Sequence, residues 1–406
     1  MQSKKKKLSV IGTVGLPANY GGFETLADHI VRNLGNDYDI TVYCTKKKYS
    51  KENRPTKYLN ARLEYLPFDA NGVQSIPYDT LSILHSLFYA DVLLVLGVAG
   101  AWILPFVRIF TNKKIIISVD GIEWKRDKWS LVARLYLWWA EKLAVKYSHI
   151  DITDNESIQD YTASRYGSLS RIIEYGADHT LQVKPSIKDK EDFPFVKLPY
   201  ALKVCRIEPE NNVHLVLEAF KRLPKRTMVI IGNWNKSDYG IKLRKKYACC
   251  KNIILLDPIY DQRTLDMIRG NALVYIHGHS AGGTNPSLVE AMFLGLPIIA
   301  YNVSYNKTTT ERSALYFNKI DDLIRIIEQT NIATYKIIGN RMKAIADRRY
   351  TWSIIAKKYH HLILESLNPK KKIPVQPLVK LFDQEVLLNY NIAHLKHHSL
   401  FFERNR

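Results

Sequence analysis

Four stretches of this 406-residue chain combine glycines, capping residues and charged side chains in orders that suit an anionic ligand. The first is Gly12-Thr-Val-Gly15-Leu-Pro-Ala-Asn-Tyr-Gly21-Gly22-Phe-Glu24. Gly21 and Gly22 let the backbone approach a ligand with no Cβ in the way. The helix that follows aims N–H groups and the positive end of its dipole at the same place. The spacing is neither Gly-x-Gly-x-x-Gly nor a P-loop, so a dinucleotide fingerprint and a Walker site are not met. A plain tight turn is the other reading.

The second stretch is His277-Gly-His279-Ser-Ala-Gly282-Gly283-Thr284-Asn285-Pro286-Ser287-Leu288-Val289-Glu290. Asn285 can cap a helix that starts with Pro286. Amides of Gly283, Thr284 and Asn285 make an anion cradle beside it. Glu290, just over one turn inside, suits the two hydroxyls of a ribose; a solvated helix residue is the alternative. His277 and His279 read either as strand-end histidines or, with Glu290, as part of a metal site. With no third ligand besides Glu290 nearby, no metal is expected. Third comes Val204-Cys205-Arg206-Ile207-Glu208-Pro209-Glu210-Asn211-Asn212. The planar fork of Arg206 could grip a diphosphate and stabilise its departure, or pair with Glu208 or Glu210 at the surface. Fourth is Val119-Asp120-Gly121-Ile122-Glu123-Trp124-Lys125-Arg126. Asp120 is its candidate polar group, and Glu123 is a base or a partner of Lys125. Asp37-Tyr-Asp39 has a metal-sugar Asp-x-Asp pattern but precedes a strand, so it is assigned to a loop.

Strands must deliver these stretches. Leu8–Ile11, Ile40–Cys44, Arg62–Leu66, Asp91–Val98, Lys114–Val119, His149–Thr153 and Arg171–Tyr175 read as strands. Phe23, Leu26, Ala27, Ile30, Val31 and Leu34 recur at helical spacing and Gly35 stops them. Further helices are expected at Tyr78–Tyr89, Trp129–Tyr147 and Glu156–Tyr166. A polar stretch, residues 184–199 with Pro185 and Pro194, reads as a linker. The alternation then restarts with strands at Leu202–Cys205, Thr227–Ile231, Ile253–Leu256, Ala272–His277 and Pro297–Ala300. Helices fall between them, and two more, Ala333–Asp347 and Trp352–Leu367, precede a basic tail. Such alternation implies parallel sheets covered on both faces. The fold class is therefore α/β, with two doubly wound Rossmann-like domains facing a cleft. The expected limits are 1–183, a linker at 184–199, 200–350, and a C-terminal 351–406 packing back on the first domain. Ligands in such sheets bind beyond the carboxyl ends of the strands, where all four stretches lie.

Composition narrows the partners. Hydrophobic residues are 46% and charged residues 24%, which excludes a disordered or low-complexity chain. Lys+Arg is 59 against 39 Asp+Glu, a net charge of +20 that favours anionic partners. The basic residues show no repeated interleaving with aromatics on one element, so nucleic acid is not expected as a partner. Cys44, Cys205, Cys249 and Cys250 form no C-x-x-C pair and fit a reducing compartment. Lys4 to Lys7 ahead of Leu8–Ile11 imitate a signal peptide, but the apolar run is short and meets Pro17, so it reads as a buried strand. No run reaches the roughly 18 apolar residues of a membrane span.

Taken together, the four stretches resemble retaining glycosyltransferases of the two-Rossmann-domain GT-B type, glycosyltransferase family four. More narrowly they resemble the bacterial rhamnosyltransferases that elongate capsule and cell-wall polysaccharides. The likeness rests on Gly15 to Glu24, Asp120 to Lys125, Arg206 to Asn212 and His277 to Glu290, and spans about residues 8 to 367. It implies that Gly21 and Gly22 meet the donor diphosphate or the moving sugar, and that Arg206 holds the diphosphate. It also implies that Gly283, Thr284 and Asn285 offer amides and that Glu290 binds the ribose. Asn211, His279 and Ser287 complete the implied donor site, and Asp120 would orient donor or acceptor. Three positions depart from the wider family. Gly282 stands where it has another glutamate, eight residues before Glu290, Asn211 where it has a lysine, and Asp120 where many members carry a histidine. All three weaken a generic hexose donor.

The resemblance implies transfer with retention from dTDP-rhamnose onto a lipid-linked saccharide, at the cytoplasmic face of the membrane. The donor is a substrate, and no cofactor is expected. Trp102, Phe106, Arg108, Phe110, Lys113 and Lys114, with the Trp124–Trp139 region, suit peripheral contact with an anionic membrane. Transfer of another nucleotide sugar, or a GT-B epimerase or binding protein, is the alternative.

Overall fold

The computed structural model describes residues 5–18, 21–119, 121, 123–125, 129–369 and 372, the side chains of Asn53 and Lys125 excepted. The chain divides into two units. Residues up to Ile173 and from Ala356 onward make the first, and Glu174–Ile355 the second.

In the first unit eight strands form one sheet: β1 (Lys6–Ile11), β2 (Tyr38–Thr45), β3 (Lys57–Tyr58), β4 (Ala61–Leu66), β5 (Val92–Leu96), β6 (Lys114–Val119), β7 (Ile150–Thr153) and β8 (Arg171–Ile172). Their order is β3-β4-β2-β1-β5-β6-β7-β8. The short β3 runs antiparallel to β4; the other described neighbours run parallel. β5 reads Val-Leu-Leu-Val-Leu with every residue buried, as a central parallel strand must be when helices cover both faces. One cover is the helix Gly22–Leu34, which buries Leu26, Ala27, Ile30, Val31 and Leu34 along one side. Another, Glu156–Tyr166, is capped by Asn155 and stopped by Gly167 in the left-handed region.

The second unit holds β9 (Tyr200–Val204), β10 (Thr227–Ile231), β11 (Ile253–Leu256), β12 (Val274–His277), β13 (Ile298–Tyr301) and β14 (Leu315–Phe317). Their order is β11-β10-β9-β12-β13-β14, all parallel. A core of Val216, Phe220, Met228, Ile230, Trp234 and Ile276 fills one side of this sheet. Residues 184–199, read from composition as a linker, contain a short helix at Ile187–Asp192 and a turn at Pro194–Lys197. The Asp189 carboxylate locks the stretch down. It closes a capping box with Ser186 and accepts two hydrogen bonds from Arg263, at 2.9 and 2.8 Å. Those bonds hold it well below the usual carboxylate range.

Both sheets change direction in the same way. The chain lays β2 and β4 on one side of β1 and then returns to the other side with β5. It lays β10 and β11 on one side of β9 and returns with β12. Such a reversal splays the loops at the carboxyl ends of the two central strands and opens a crevice there.

Candidate functional site

In the second unit the crevice is built by the loops after β9 and β12, which carry Arg206 and the glycine-rich stretch. They are tied together. Asn212, in the left-handed region, donates from Nδ2 to the Gly278 carbonyl at 2.9 Å. Ser280 donates from N and Oγ to the Glu210 carbonyl at 2.8 and 2.9 Å. Asn211 is buried, and its Nδ2 donates to the Arg206 carbonyl at 2.7 Å. Its amide thus braces the peptide of the arginine. The guanidinium of Arg206 stays 39% exposed, with Nε 3.8 Å from Glu208 Oε2. A contact that long and that wet leaves the fork available to an anion.

Beyond β12, Gly282 sits at φ +130° with open space where a side chain would begin. A residue with a Cβ is strained at that angle. Thr284 is buried. Asn285 caps the helix Pro286–Phe293: its Oδ1 accepts from Ser287 N at 3.1 Å and from Ser287 Oγ at 2.8 Å. The serine hydroxyl is therefore spent on the cap. Gly283, between Gly282 and the cap, leads the loop to the positive end of the helix dipole.

Glu290 is held by residues the sequence did not single out. Arg269, 2% exposed, places Nη2 2.7 Å from Glu290 Oε2. Asp266 Oδ1 lies 3.5 Å from the other arm of the guanidinium. On the opposite side His179 Nε2 is 3.2 Å from Glu290 Oε1. The indole of Trp352 donates to His179 Nδ1 at 3.0 Å. An indole N–H only donates, so Nδ1 is the bare nitrogen and Nε2 carries the proton toward Glu290. Burial by itself would raise the Glu290 carboxyl; Arg269 and His179 outweigh it and keep the group below its ordinary value. The result is a fixed carboxylate, 15% exposed, with one lone pair on each oxygen engaged. A second lone pair on each remains for hydroxyl donors. No spacing rule links positions 179, 269, 290 and 352, so only tertiary structure reveals this group.

Beneath the same loops lies a second buried set. Lys203 on β9 is fully buried and its Nζ has no hydrogen-bond partner. A Cβ on Gly278 would fall 2.8 Å from that nitrogen, so the glycine makes room for the amine. His277 is also fully buried with neither ring nitrogen bonded, and its ring stacks on His279 at 4.2 Å and 10°. Burial, then the nearby Lys203, pushes His277 well below its ordinary value. Burial likewise lowers the Lys203 amine. Among the described residues no group of three or more His, Cys, Asp or Glu could hold a metal.

In the first unit Gly12–Ala18 lead out of β1, and Gly21–Glu24 enter the helix Gly22–Leu34. Gly12, at φ +95°, passes so close to β5 that a Cβ would sit 2.1 Å from the Leu96 carbonyl oxygen. Glu24 folds back over the loop, accepting from Val14 N at 2.7 Å. A Cβ on Gly21 would fall 1.8 Å from its Oε2. Gly21 therefore makes room for a carboxylate of its own chain, and Gly22 opens the helix. Asp120, with Ile122 and Arg126, lies outside the described residues. Glu123 accepts from the Trp129 indole at 3.0 Å.

Comparison with known proteins follows this division. Residues 5–178 match a domain of unknown function, DUF1972, and residues 185–325 match glycosyl transferases group 1. Among curated proteins none matches the chain. The fold is similar to that of sucrose-phosphate synthase from Thermosynechococcus elongatus, with TM-score 0.74 and 15% identity over 90% of this chain and 100% of that one. It is similar to Anabaena HepE in complex with UDP-glucose, with TM-score 0.67 and 14% identity over 89% and 100%. It is similar also to the catalytic domain of starch synthase IV from Arabidopsis thaliana bound to ADP and acarbose, with TM-score 0.68 and 12% identity over 90% and 100%. With two α/β sheets of GT-B type, the chain carries a DUF1972 domain at residues 5–178 and a glycosyl transferases group 1 domain at residues 185–325.

Proposed function

We propose that this glycosyltransferase moves a 6-deoxyhexose, L-rhamnose from dTDP-rhamnose, with retention onto a lipid-linked saccharide in bacterial polysaccharide synthesis. The observation that carries the reading is the second unit's crevice. There Arg206 stands half-exposed on the loop after β9, and the fixed Glu290 carboxylate lies just over one turn inside the capped helix that follows β12. A nucleoside diphosphate needs those two things: cationic and amide donors for the phosphates, and a rigid acceptor for the ribose hydroxyls. The bond from the anomeric carbon to the phosphate oxygen breaks through an oxocarbenium-like state, as in glycoside hydrolysis. The acceptor oxygen bonds to that carbon on the same face, and its proton passes to the departing phosphate. Arg206 and the helix N-terminus stabilise the charge that develops on the leaving group. Asp120, Gly21 and Gly22 of the first unit serve the acceptor and the moving sugar in this reading. Asn211 positions Arg206, Ser287 secures the Asn285 cap, and His279 stacks beneath the loop. The Gly282 backbone supports a donor other than a generic hexose, since a side chain there is strained.

Arg206→Ala tests the mechanism. Loss of one donor to a developing anion costs about 10²–10³ in turnover, with the thermal transition unmoved because the side chain is exposed. Near-normal release of nucleoside diphosphate by the variant refutes the role. A thermal-shift panel across dTDP-, UDP- and GDP-sugars tests the donor, since a ligand stabilises the state it binds. A larger shift with UDP-glucose than with dTDP-rhamnose refutes the rhamnosyl assignment.

A further inference from the structure

The described residues of the first unit present an apolar face. Phe106, Ile109 and Phe110 on the helix Leu104–Phe110, and Leu131 and Leu135 on the helix Leu131–Tyr147, are each more than half exposed. The two helices pack side by side. Between the helices Leu131–Tyr147 and Ser75–Ser86 a cavity of about 530 Å³ opens, walled by Phe68, Ile76, Leu81, Trp102, Tyr136 and Trp139. Its polar atoms are already engaged. Trp102 Nε1 donates to Thr80 Oγ1 at 2.9 Å, and Tyr136 OH donates to the Ala99 carbonyl at 2.5 Å. The cavity therefore offers hydrocarbon and nothing to hydrogen-bond a sugar or a nucleotide.

The exposed charges on the three helices have one sign. The only acids on these three helices are Asp79 and Glu141, 3% and 1% exposed. The exposed charges are Arg108, Lys142 and Lys146. Burial first, then Arg108 together with Lys114 and Lys372, presses His149 down to about 4. A protein partner requires no such exclusion of acids. An anionic lipid surface does, because each cation near it adds attraction and each anion subtracts it. Apolar side chains mixed with cations on a helical face are the mark of an interfacial element. Among the described residues no helix is long and apolar enough to cross a membrane.

We propose that this face seats on an anionic bilayer and that the cavity takes one hydrocarbon chain of a phosphate-bearing lipid. The inference deepens the lipid-linked acceptor of the preceding reading and rests on it for the identity of that lipid. The full chain is sedimented with vesicles of phosphatidylcholine alone, and of phosphatidylcholine and phosphatidylglycerol in equal parts. Binding in solution is titrated with farnesyl monophosphate. Anionic vesicles carry the protein down and neutral ones do not. Arg108→Gln with Lys142→Gln weakens vesicle partitioning about thirtyfold, from roughly fivefold for each cation near the surface. Leu81→Trp fills the cavity from a partly exposed position and abolishes saturable farnesyl phosphate binding, while vesicle binding persists. Absence of anionic-vesicle binding at low salt overturns the proposal, as does farnesyl phosphate binding unchanged in Leu81→Trp. A concentration-dependent dimer that Leu135→Glu dissolves, without vesicle binding, overturns it in favour of a second copy of the chain. Nucleotide-sugar thermal shifts on the same samples separate the two readings: donor binding without vesicle binding removes this one alone, and vesicle binding without any donor removes the preceding one.

Discussion

Arg269→Met strips the guanidinium from Glu290 while keeping an apolar stem of similar length. Arg269 is 2% exposed and its Nη2 lies 2.7 Å from Glu290 Oε2. Opposite charges about 4 Å apart attract by about 4 kcal/mol at an effective dielectric of 20. Breaking a buried pair from one side costs about 3–5 kcal/mol, because the other charge stays behind in the low dielectric. At about 2–4 °C per kcal/mol for a unit of this size, the melting transition should fall by roughly 10 °C. The pH slope is the sharper readout. In the native chain the Glu290 carboxyl is held below its ordinary value. Its contribution is thus present above that ordinary value and lost as pH falls through the folded value. Without Arg269, burial dominates and the carboxyl rises above the ordinary value. The variant then loses stability as pH rises where the native protein gains it. Urea unfolding followed by circular dichroism across pH measures both. The double variant Arg269→Met/Glu290→Gln should recover part of the loss, since the Glu290 charge leaves with the guanidinium while Asp266 stays behind. A single variant within about 1 kcal/mol of the native protein, with an unaltered slope, refutes the argument.

Two further outcomes concern buried groups without full partners. Lys203→Met should raise stability by about 1–3 kcal/mol, because an unsatisfied buried donor gives way to an apolar chain of similar shape. The native amine, lowered by burial, makes stability fall as pH drops through its folded value, and the variant should lack that slope in urea titrations. Asp79 is fully enclosed under Gly100, and burial, only partly offset by the Gly100 amide, raises its carboxyl to about 8. Its stabilising effect is whole below the ordinary value near 4 and lost as pH rises through about 8. Asp79→Asn should therefore melt higher than the native chain at about pH 9 and show little difference below about pH 4.

The alternation of apolar runs with helical spacing exposed the fold. Lys114–Val119, Thr227–Ile231 and Ile253–Leu256 fall where their β-branched runs put them, and Trp352–Leu367 runs from its aromatic start to its stop. The expected elements do not include Ile320–Gln329, whose buried pair is Leu323 and Ile327, four apart. The helix Leu104–Phe110 was obscured because Gly97, Gly100 and Pro105 interrupt the apolar run around it; Pro105 in fact sits in the first turn, where a proline is tolerated. At the site, strand ends and caps were legible because they are local: Asn285, Pro286 and the Arg206 turn follow from neighbours in sequence. Arg269, His179 and Trp352 were not, because their roles exist only through contacts across tens of residues. Lys203 was hidden for a different reason, since a lysine within a strand reads as surface until its burial is seen.

The helix Trp352–Leu367 starts in the second unit and ends in the first. Its later turns supply partners to the first sheet, His360 to the Tyr38 hydroxyl at 3.0 Å and Glu365 to Arg171 at 2.8 Å. During synthesis the eight strands therefore leave the ribosome long before the piece that finishes their unit. Those two bonds can form only after the whole of the other unit is made. Truncation near residue 355 should therefore strip Tyr38 and Arg171 of these partners and lower the stability of the first unit.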